Sequence, residues 1–322
     1  VAGLFQDFYN EEGHFGPRKD GWFKDMFVPG LEGEDLPKVE KWRSLQWLAE
    51  RTAKDPRFAV AMTEPDAGSA VTDLKTAATA DGDGYRINGT KVFTTHGRYA
   101  DVLLAYVRYG PGLDGIGSVL IERGMDGFTT GNPTRFLSGE EWAQLYFDDV
   151  HVGPENVLLR EGGFRKQIAG FNVERIGNAS RALALGRYAF EAARDHAATR
   201  EQFGRPLCEF QGLQWKFADM KMGLDAAQLL LYRAACNADR EFPSAEETSI
   251  AKAFCNKTGF DVANEAMQIM GGTGYSQDCL VEYCLRRTRG WMIAGGSPEM
   301  MKNRIAETIF DRRFSQRPPR AD

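Results

Sequence analysis

Histidine is scarce in this sequence, four in 322 residues. None is spaced as H-x-x-x-H, and the five cysteines (Cys208, Cys236, Cys255, Cys279 and Cys284) form no C-x-x-C pair, so no metal site is expected. An odd cysteine count without a pairing pattern argues for reduced, mostly buried thiols rather than a disulfide framework. No apolar run approaches the roughly 18 residues that a membrane helix needs. Dense runs of Lys and Arg are also missing; only the pairs Arg286–Arg287 and Arg312–Arg313 stand out, which argues against nucleic acid as a partner. No secretory signal is legible at the amino end, which starts at Val1.

What is present is apolar content of 43%, enough for a large core, and a charge balance of 40 basic against 45 acidic residues, an ordinary soluble surface. The length leads to an expectation of two or three domains, and the pattern changes twice along the chain. Residues 1–56 are mixed, punctuated by Pro29, Gly30, Gly33 and Pro37, and only Val39–Lys54 reads as a helix. Residues 57–163 read as short strands and turns: an Asn88-Gly89 hairpin signal, apolar runs at Asp101–Arg108 and Gly117–Glu122, and alternation over Trp142–Val150. An antiparallel sandwich or barrel is expected there. Residues 164–322 read as helical, with long periodic stretches at Ile168–Thr199, Phe210–Ala238, Ala245–Met270 and Pro298–Phe314. Four long helices with short connections predict a bundle.

Four motifs then occur in order: Ala61-Met-Thr-Glu-Pro-Asp-Ala-Gly-Ser69, Lys91-Val-Phe-Thr-Thr95, Arg200-Glu-Gln-Phe-Gly-Arg-Pro206 and Gln268-Ile-Met-Gly-Gly-Thr-Gly274. Together they resemble the signature segments of the acyl-CoA dehydrogenase family. Any one Thr or Ser among them is by itself an ordinary turn hydroxyl; the joint order carries the resemblance. It implies an α+β multidomain fold with an amino-terminal helical part, a central antiparallel β-barrel and a carboxy-terminal four-helix bundle. It also implies FAD as cofactor and an acyl-CoA thioester as substrate.

Carried over residue by residue, the resemblance implies that Met62, Thr63, Gly68, Ser69, Phe93 and Thr95 contact the flavin, with Ser69 also near the CoA phosphates. Phe93 stands where the family usually has Trp. Small hydroxyls suit the polar edge of the flavin, and Gly68 lets backbone approach a planar ligand. Arg200, Phe203, Gln268, Gly271 and Gly272 are implied to embrace the FAD diphosphate and adenosine of a neighbouring subunit, a task for which the Arg fork is suited. A homodimer or homotetramer follows.

The family's reaction needs a carboxylate that removes the α proton while the flavin takes a hydride from the β carbon. The Glu that many members carry before the last helix is replaced here by Gly295, in Ile293-Ala-Gly-Gly-Ser-Pro-Glu299. The sequence resembles instead the isovaleryl and long-chain type, in which the base precedes an Arg on an earlier helix. Phe171-Asn-Val-Glu174-Arg175 occupies that place, a helix's length before the Arg200 loop. Glu174 is therefore the expected base, and Gly295 the expected backbone N–H donor to the thioester oxygen. Phe171, Asn172 and Arg175 are expected at the substrate. Ser297 and Glu299 are expected near the flavin, and Glu299 is the second candidate for the base.

The amino-terminal part, 1–56, is expected to be short or incomplete relative to the family. Electrons are expected to pass to an electron-transfer flavoprotein, and the location to be cytoplasmic, or the mitochondrial matrix in a eukaryote. A non-catalytic subunit completing the FAD site of a heteromer, and an acyl-CoA oxidase, are the alternative readings.

Overall fold

The computed structural model describes residues 57–237 and 243–316, and these fall into two compact units that divide at Ala169/Gly170. The helix expected at Val39–Lys54 and the whole of 1–56 lie outside the described residues.

The first unit is built on one nine-stranded sheet. Its strands are β1 (Phe58–Ala61), β2 (Ala77–Asp81), β3 (Gly84–Thr95), β4 (Val102–Arg108), β5 (Ile116–Glu122), β6 (Phe128–Thr130), β7 (Thr134–Arg135), β8 (Glu141–Val152) and β9 (Val157–Leu159). They run in the order β6-β8-β3-β2-β4-β5-β9, with β1 on β4 and β7 on β8. Residues from most of these strands, among them Ala59, Ile87, Leu103, Val119, Leu145 and Phe147, meet in a single apolar cluster. Val102–Val107 and Ile116–Ile121 are buried on both faces, which is why β4 and β5 read as continuous apolar runs rather than alternation.

Two expectations change here. The sheet is not wholly antiparallel: β1 lies parallel to β4, from Phe58 opposite Val102 to Ala61 opposite Ala105. The chain between them is long enough for the crossover that a parallel pair needs. And Asn88-Gly89 is not a hairpin turn. Gly89 lies inside β3 at a slip in register against β8, and a β-carbon on it would stand 2.5 Å from Thr76 Oγ1. Close backbone approach, not turn geometry, requires glycine there. The hairpin turn falls earlier, at Gly82–Asp83 between Asp81 and its partner Gly84.

The second unit is helical. It comprises α1 (Phe164–Thr199, entering from the first unit), a two-stranded hairpin of β10 (Glu201–Gln202) and β11 (Arg205–Pro206), α2 (Gln211–Cys236), α3 (Ala245–Met270), the single turn α4 (Gly272–Tyr275), α5 (Leu280–Trp291) and α6 (Pro298–Ile309). The reading from sequence omits α5, whose buried apolar residues are only Val281 and Cys284, joined by the polar Glu282 and Thr288. It also carries the last helix too far, to Phe314.

Helix α3 is the hub, with α2, α5 and α6 all packed on it. It crosses α1 at glycine: a β-carbon on Gly259 would meet the Ala182 carbonyl oxygen at 2.4 Å. Ser244 starts α3 by accepting the Glu247 N–H, and Ser297 starts α6 by accepting the Met300 N–H, each at 3.4 Å. Cys255 and Cys284 are buried, Cys279 is half-buried, and Cys208 and Cys236 are exposed, so the expectation of mostly buried thiols fails for the latter two; all five are free. Cys236 is the last residue of α2 and Cys208 lies in the turn before it, where no core reaches them. Among the described residues no helix is long and apolar enough to cross a membrane.

Candidate active site

In the first unit the Thr-Glu-Pro segment is tied to β3 by an ion pair buried in the sheet. Lys91, 0% exposed, donates from Nζ to Glu64 Oε1 at 2.8 Å and to the Met62 carbonyl at 3.0 Å. Glu64 also accepts the N–H groups of Thr76 at 2.9 Å and Lys75 at 2.5 Å. Burial pushes the Glu64 carboxyl up, but the charge of Lys91 and the converging donors outweigh it and hold the group below the ordinary carboxylate range. Burial also brings Lys91 down to about 8, which leaves it mainly protonated at pH 7, so the pair is ionised. Lys91 and Glu64 are structural; the sequence reading did not single them out.

That anchor sets the neighbouring candidates. The Thr63 carbonyl accepts the Val92 N–H at 2.9 Å, placing Thr63 beside the strand that carries Phe93 and Thr95. Between Lys91 and Thr94 the register of β3 on β8 slips, and Phe93 takes φ +56. Such a bulge re-aims a side chain. Phe93 and Thr95 accordingly face out, with buried Thr94 between them. Phe93 rests on Trp142, with ring centres 4.6 Å apart, and Phe136 extends the aromatic surface. Gly68 and Ser69 are exposed, and a β-carbon on Gly68 would meet nothing within 4 Å. Outward hydroxyls, an outward aromatic ring and an open glycine beside backbone fit a planar heteroaromatic ligand with a polar edge.

In the second unit the candidates fall into two groups. Arg200 ends α1, and its carbonyl accepts the Leu207 N–H at 2.9 Å, closing the small hairpin. Gln202 pairs with Arg205, so the turn consists of Phe203 and Gly204, at φ +54 and +80. Two positive φ values define the type I′ turn, which favours Asn or Gly and strains a bulky residue. Phe203 is nevertheless there and is 94% exposed. Gln268, Gly271 and Gly272 are exposed at the carboxy end of α3, where Gly271 takes φ +59. No described contact joins this group to the hairpin or to the group that follows.

Arg175 and Gly295 do come together, and Glu174 directly precedes Arg175 on α1. The segment after α5 is held through its carbonyls. Trp291 accepts Lys252 Nζ at 3.2 Å and Asn256 Nδ2 at 2.5 Å. Ala294 accepts Asn178 Nδ2 at 3.5 Å, and Gly295 accepts Arg175 Nε at 3.2 Å. Asn256 Nδ2 reaches Asn178 Oδ1 as well, at 2.7 Å. The Gly295 N–H is bonded to no acceptor among the described residues. Glu174 lies along the same face of α1, its side chain 29% exposed, with Arg181 Nη1 3.5 Å from Oε1. Desolvation raises its carboxyl above the ordinary range, and Arg181 and Lys252 only partly counter it.

The remaining candidates sit at the edges. Asn172 is buried, donates to the Pro243 carbonyl at 3.1 Å and accepts Arg175 Nη1 at 3.0 Å, so it orients Arg175. Phe171 is half-buried. Ser297 caps α6, and Glu299 is exposed in its first turn, its carboxyl held below the ordinary range by its own backbone N–H and by Ser297.

The sequence reading missed Asn178, Arg181, Lys252, Asn256 and Trp291. Its one available signal was spacing: Glu174, Asn178 and Arg181 fall at i, i+4 and i+7, and Lys252 and Asn256 at i and i+4, within otherwise apolar stretches. Among the described residues no group of His, Cys, Asp and Glu could hold a metal ion.

Known proteins share both units. Residues 59–150 match the acyl-CoA dehydrogenase middle domain and residues 161–310 the acyl-CoA dehydrogenase carboxy-terminal domain. An acyl-CoA dehydrogenase of Bacillus subtilis is 36% identical, over 83% of this chain and 72% of its own length. A 3-sulfinopropanoyl-CoA desulfinase of Paraburkholderia xenovorans is 34% identical, over 80% of this chain and 69% of its own. The solved butyryl-CoA dehydrogenase of Megasphaera elsdenii is 34% identical with a TM-score of 0.76, covering 79% of this chain and 68% of that one. With both domains matched in order and identity sustained across most of the chain, the protein belongs to the acyl-CoA dehydrogenase family.

Proposed function

We propose that this chain converts an acyl-CoA thioester to the trans-2-enoyl-CoA, with Glu174 removing the α proton. The observation that carries the reading is the setting of Glu174: a carboxyl raised by desolvation, directly before the Arg175 that holds the Gly295 carbonyl. The α C–H of a thioester is a weak acid, so a base with raised proton affinity is favoured. Glu299 has the opposite setting, exposed and held down, which makes it a poor rival. The unengaged Gly295 N–H is the proposed donor to the thioester oxygen, where negative charge develops as the proton leaves. The peptide that bears this N–H carries the Ala294 carbonyl, which Asn178 holds, while Arg175 holds the next carbonyl, at Gly295, and Asn172 orients Arg175.

FAD is the proposed cofactor, and when bound it supplies the acceptor for the hydride that leaves the β carbon. Met62, Thr63, Gly68, Ser69, Phe93 and Thr95 are the residues proposed to hold its ring. Arg200, Phe203, Gln268, Gly271 and Gly272 would hold the diphosphate and adenosine of a second subunit, with Ser297 and Glu299 near the flavin. The strained, outward Phe203 supports a role beyond its own unit. So does α2, which shows Trp215, Met222 and Leu229 at seven-residue intervals on one exposed face, fitting a homo-oligomer. An electron-transfer flavoprotein is the proposed acceptor of the electrons.

The test is anaerobic titration of the purified, flavin-loaded protein with a panel of acyl-CoAs. Bleaching by at least one acyl-CoA is expected, and Glu174→Gln should bind that ligand equally well yet reduce its flavin at least about 10²-fold more slowly. A protein that holds flavin but is bleached by no acyl-CoA would be the half-site subunit instead. Rapid reoxidation by oxygen would mark an oxidase.

A further inference from the structure

Among the described residues of the helical unit, Lys252 is the one ammonium group that is almost wholly enclosed, 1% exposed in the middle of α3. It has no ion-pair partner within 4 Å among the described residues, and its only hydrogen bond is to the Trp291 carbonyl. A buried charge left without a close counter-ion is costly, and helix packing alone is better served by an apolar side chain. Its position explains its presence. The Cε atom lies 3.5 Å from where a β-carbon on Gly295 would stand, and the charge acts on Glu174 from the facing helix.

We propose that Lys252 is a positioning residue for the reaction, holding the loop that presents the Gly295 N–H and supplying a charge that keeps Glu174 ready to accept a proton. This rests on the reading of Glu174 as the base. The other charged groups around the site do not replace it. On α1, Arg181 stands 3.5 Å from Glu174 but also lies over the Trp291 ring, 5.4 Å from its centre. Arg175 is turned to Gly295 and Asn172. On α5, Arg287 stacks on the Trp291 ring at 4.3 Å. On α6, Arg304 pairs with Glu307. Lys252 bonds the Trp291 carbonyl, where the loop leaves α5, while its charge acts on Glu174.

Two forces set the protonation of Glu174. Desolvation favours the neutral acid, which can accept no proton, and the facing cations favour the carboxylate. Removing Lys252 leaves the first and weakens the second.

The experiment compares Lys252→Met, Lys252→Gln and Lys252→Arg. Gln keeps a donor for the Trp291 carbonyl without the charge, and Arg keeps the charge. Flavin reduction by the acyl-CoA that bleaches the parent is followed from pH 5 to 9. In parallel, the Glu174 carboxyl stretch is titrated by infrared difference in flavin-free protein, with Glu174→Gln as the blank. Met and Gln should both shift the titration of Glu174 upward and slow reduction about tenfold or more at acid pH, with recovery at higher pH. Arg should restore the parent titration. Met should also lose acyl-CoA affinity relative to Gln, since the loop loses a donor. A Glu174 titration unmoved in both Met and Gln would overturn the proposal, as would a shift that Arg fails to reverse. If Met does not fold, the Gln and Arg pair decides alone. The base assignment fails separately, if Glu174→Gln reduces its flavin at the parent rate.

Discussion

Arg175 donates from Nε to the carbonyl oxygen of Gly295 at 3.2 Å, anchoring the peptide that follows the Gly295 N–H, and that N–H itself meets no acceptor among the described residues. The same loop shows what a side chain at Gly295 would meet. A β-carbon there would stand 3.5 Å from Lys252 Cε and 3.8 Å from Asn178 Nδ2, ordinary contact distances, but at φ +70. The space is available and the backbone conformation is not.

Gly295→Glu in the Glu174→Gln background should therefore fold, with a penalty of about 1–2 kcal/mol from the left-handed backbone. Its new carboxylate would start beside Lys252, in place of the one lost at position 174, and part of the lost rate should return for straight, short acyl chains only. Thermal unfolding and reduction kinetics with straight and branched substrates check both halves. Equal recovery for bulky substrates would show that the space beside Gly295 does not select the acyl group.

At the hairpin tip, stability and function should move in opposite directions. Phe203→Gly relieves a bulky residue at φ +54 and should stabilise the fold by about 1 kcal/mol. It should also lower flavin occupancy, because the exposed ring is proposed to serve a neighbouring subunit. Arg200→Ala should weaken flavin retention roughly 10- to 100-fold without lowering the unfolding midpoint. Absorbance at saturation and after dialysis reads both; full retention in both variants would remove this hairpin from the cofactor site.

The exposed stripe on α2 gives a prediction about assembly. Leu229→Lys places a charge at the end of the line Trp215, Met222, Leu229, and light scattering should report a smaller species than the parent. An unchanged mass would leave the stripe outside any interface.

Lys91→Met strands Glu64 in the sheet with its charge unpaired. Loss of one partner of a buried pair costs about 3–5 kcal/mol, and the double variant with Glu64→Gln should recover part of it. Flavin content should fall with the single variant, since the Met62–Thr63 backbone is held by the same ammonium. Denaturant unfolding of the parent, Lys91→Met, Glu64→Gln and the double variant forms the cycle, and additive losses would mean that the two side chains are not coupled.

How much of this was legible beforehand follows from where the information resides. The strands at 102–108 and 116–122 announce themselves as continuous apolar runs, and the strand at 141–152 and the helices α1 to α3 by periodicity, because their faces are long and apolar. Helix α5 did not, because so few buried apolar residues leave Arg286, Arg287 and Arg289 to dominate its composition. Glu174 and Gly295 could be paired only through the family pattern. The loop at Gly295 is held by its backbone carbonyls at Trp291, Ala294 and Gly295, which accept from Lys252, Asn178 and Arg175, and a carbonyl has no letter in a sequence. The positive φ of Phe93 and Phe203 is equally silent there. Both residues are aromatic, outward and in a conformation that such side chains avoid, which points to ligand or partner contact rather than to the folding of their own unit.

The buried ammonium at Lys252 makes a prediction that needs neither flavin nor substrate. Burial brings it down to about 8, whereas an unfolded chain holds a lysine proton to near 10.4. Below about pH 8 both states are protonated, and the folded state bears the full cost of the enclosed charge. Between about 8 and 10.4 the unfolded state binds more protons, so stability rises with pH. The integrated gain from this group is on the order of 3 kcal/mol. Lys91 is also brought down to about 8 and contributes a rise in the same window, so the parent curve alone cannot assign the effect. Glu174 acts in a different window: with a raised carboxyl it costs stability as pH rises from near 4.3 toward neutrality, because the unfolded state loses its proton first. Made in a Glu174→Gln background, so that the shifted titration of Glu174 does not enter, Lys252→Met removes only the Lys252 contribution. Its stability relative to Glu174→Gln alone should therefore be most favourable near pH 7 and fall by about 3 kcal/mol toward pH 10.5, as read by urea unfolding at matched ionic strength. A difference that stayed constant across that range would mean that the ammonium is hydrated as well in the folded protein as in the unfolded chain, and that α3 does not enclose a charge at this position.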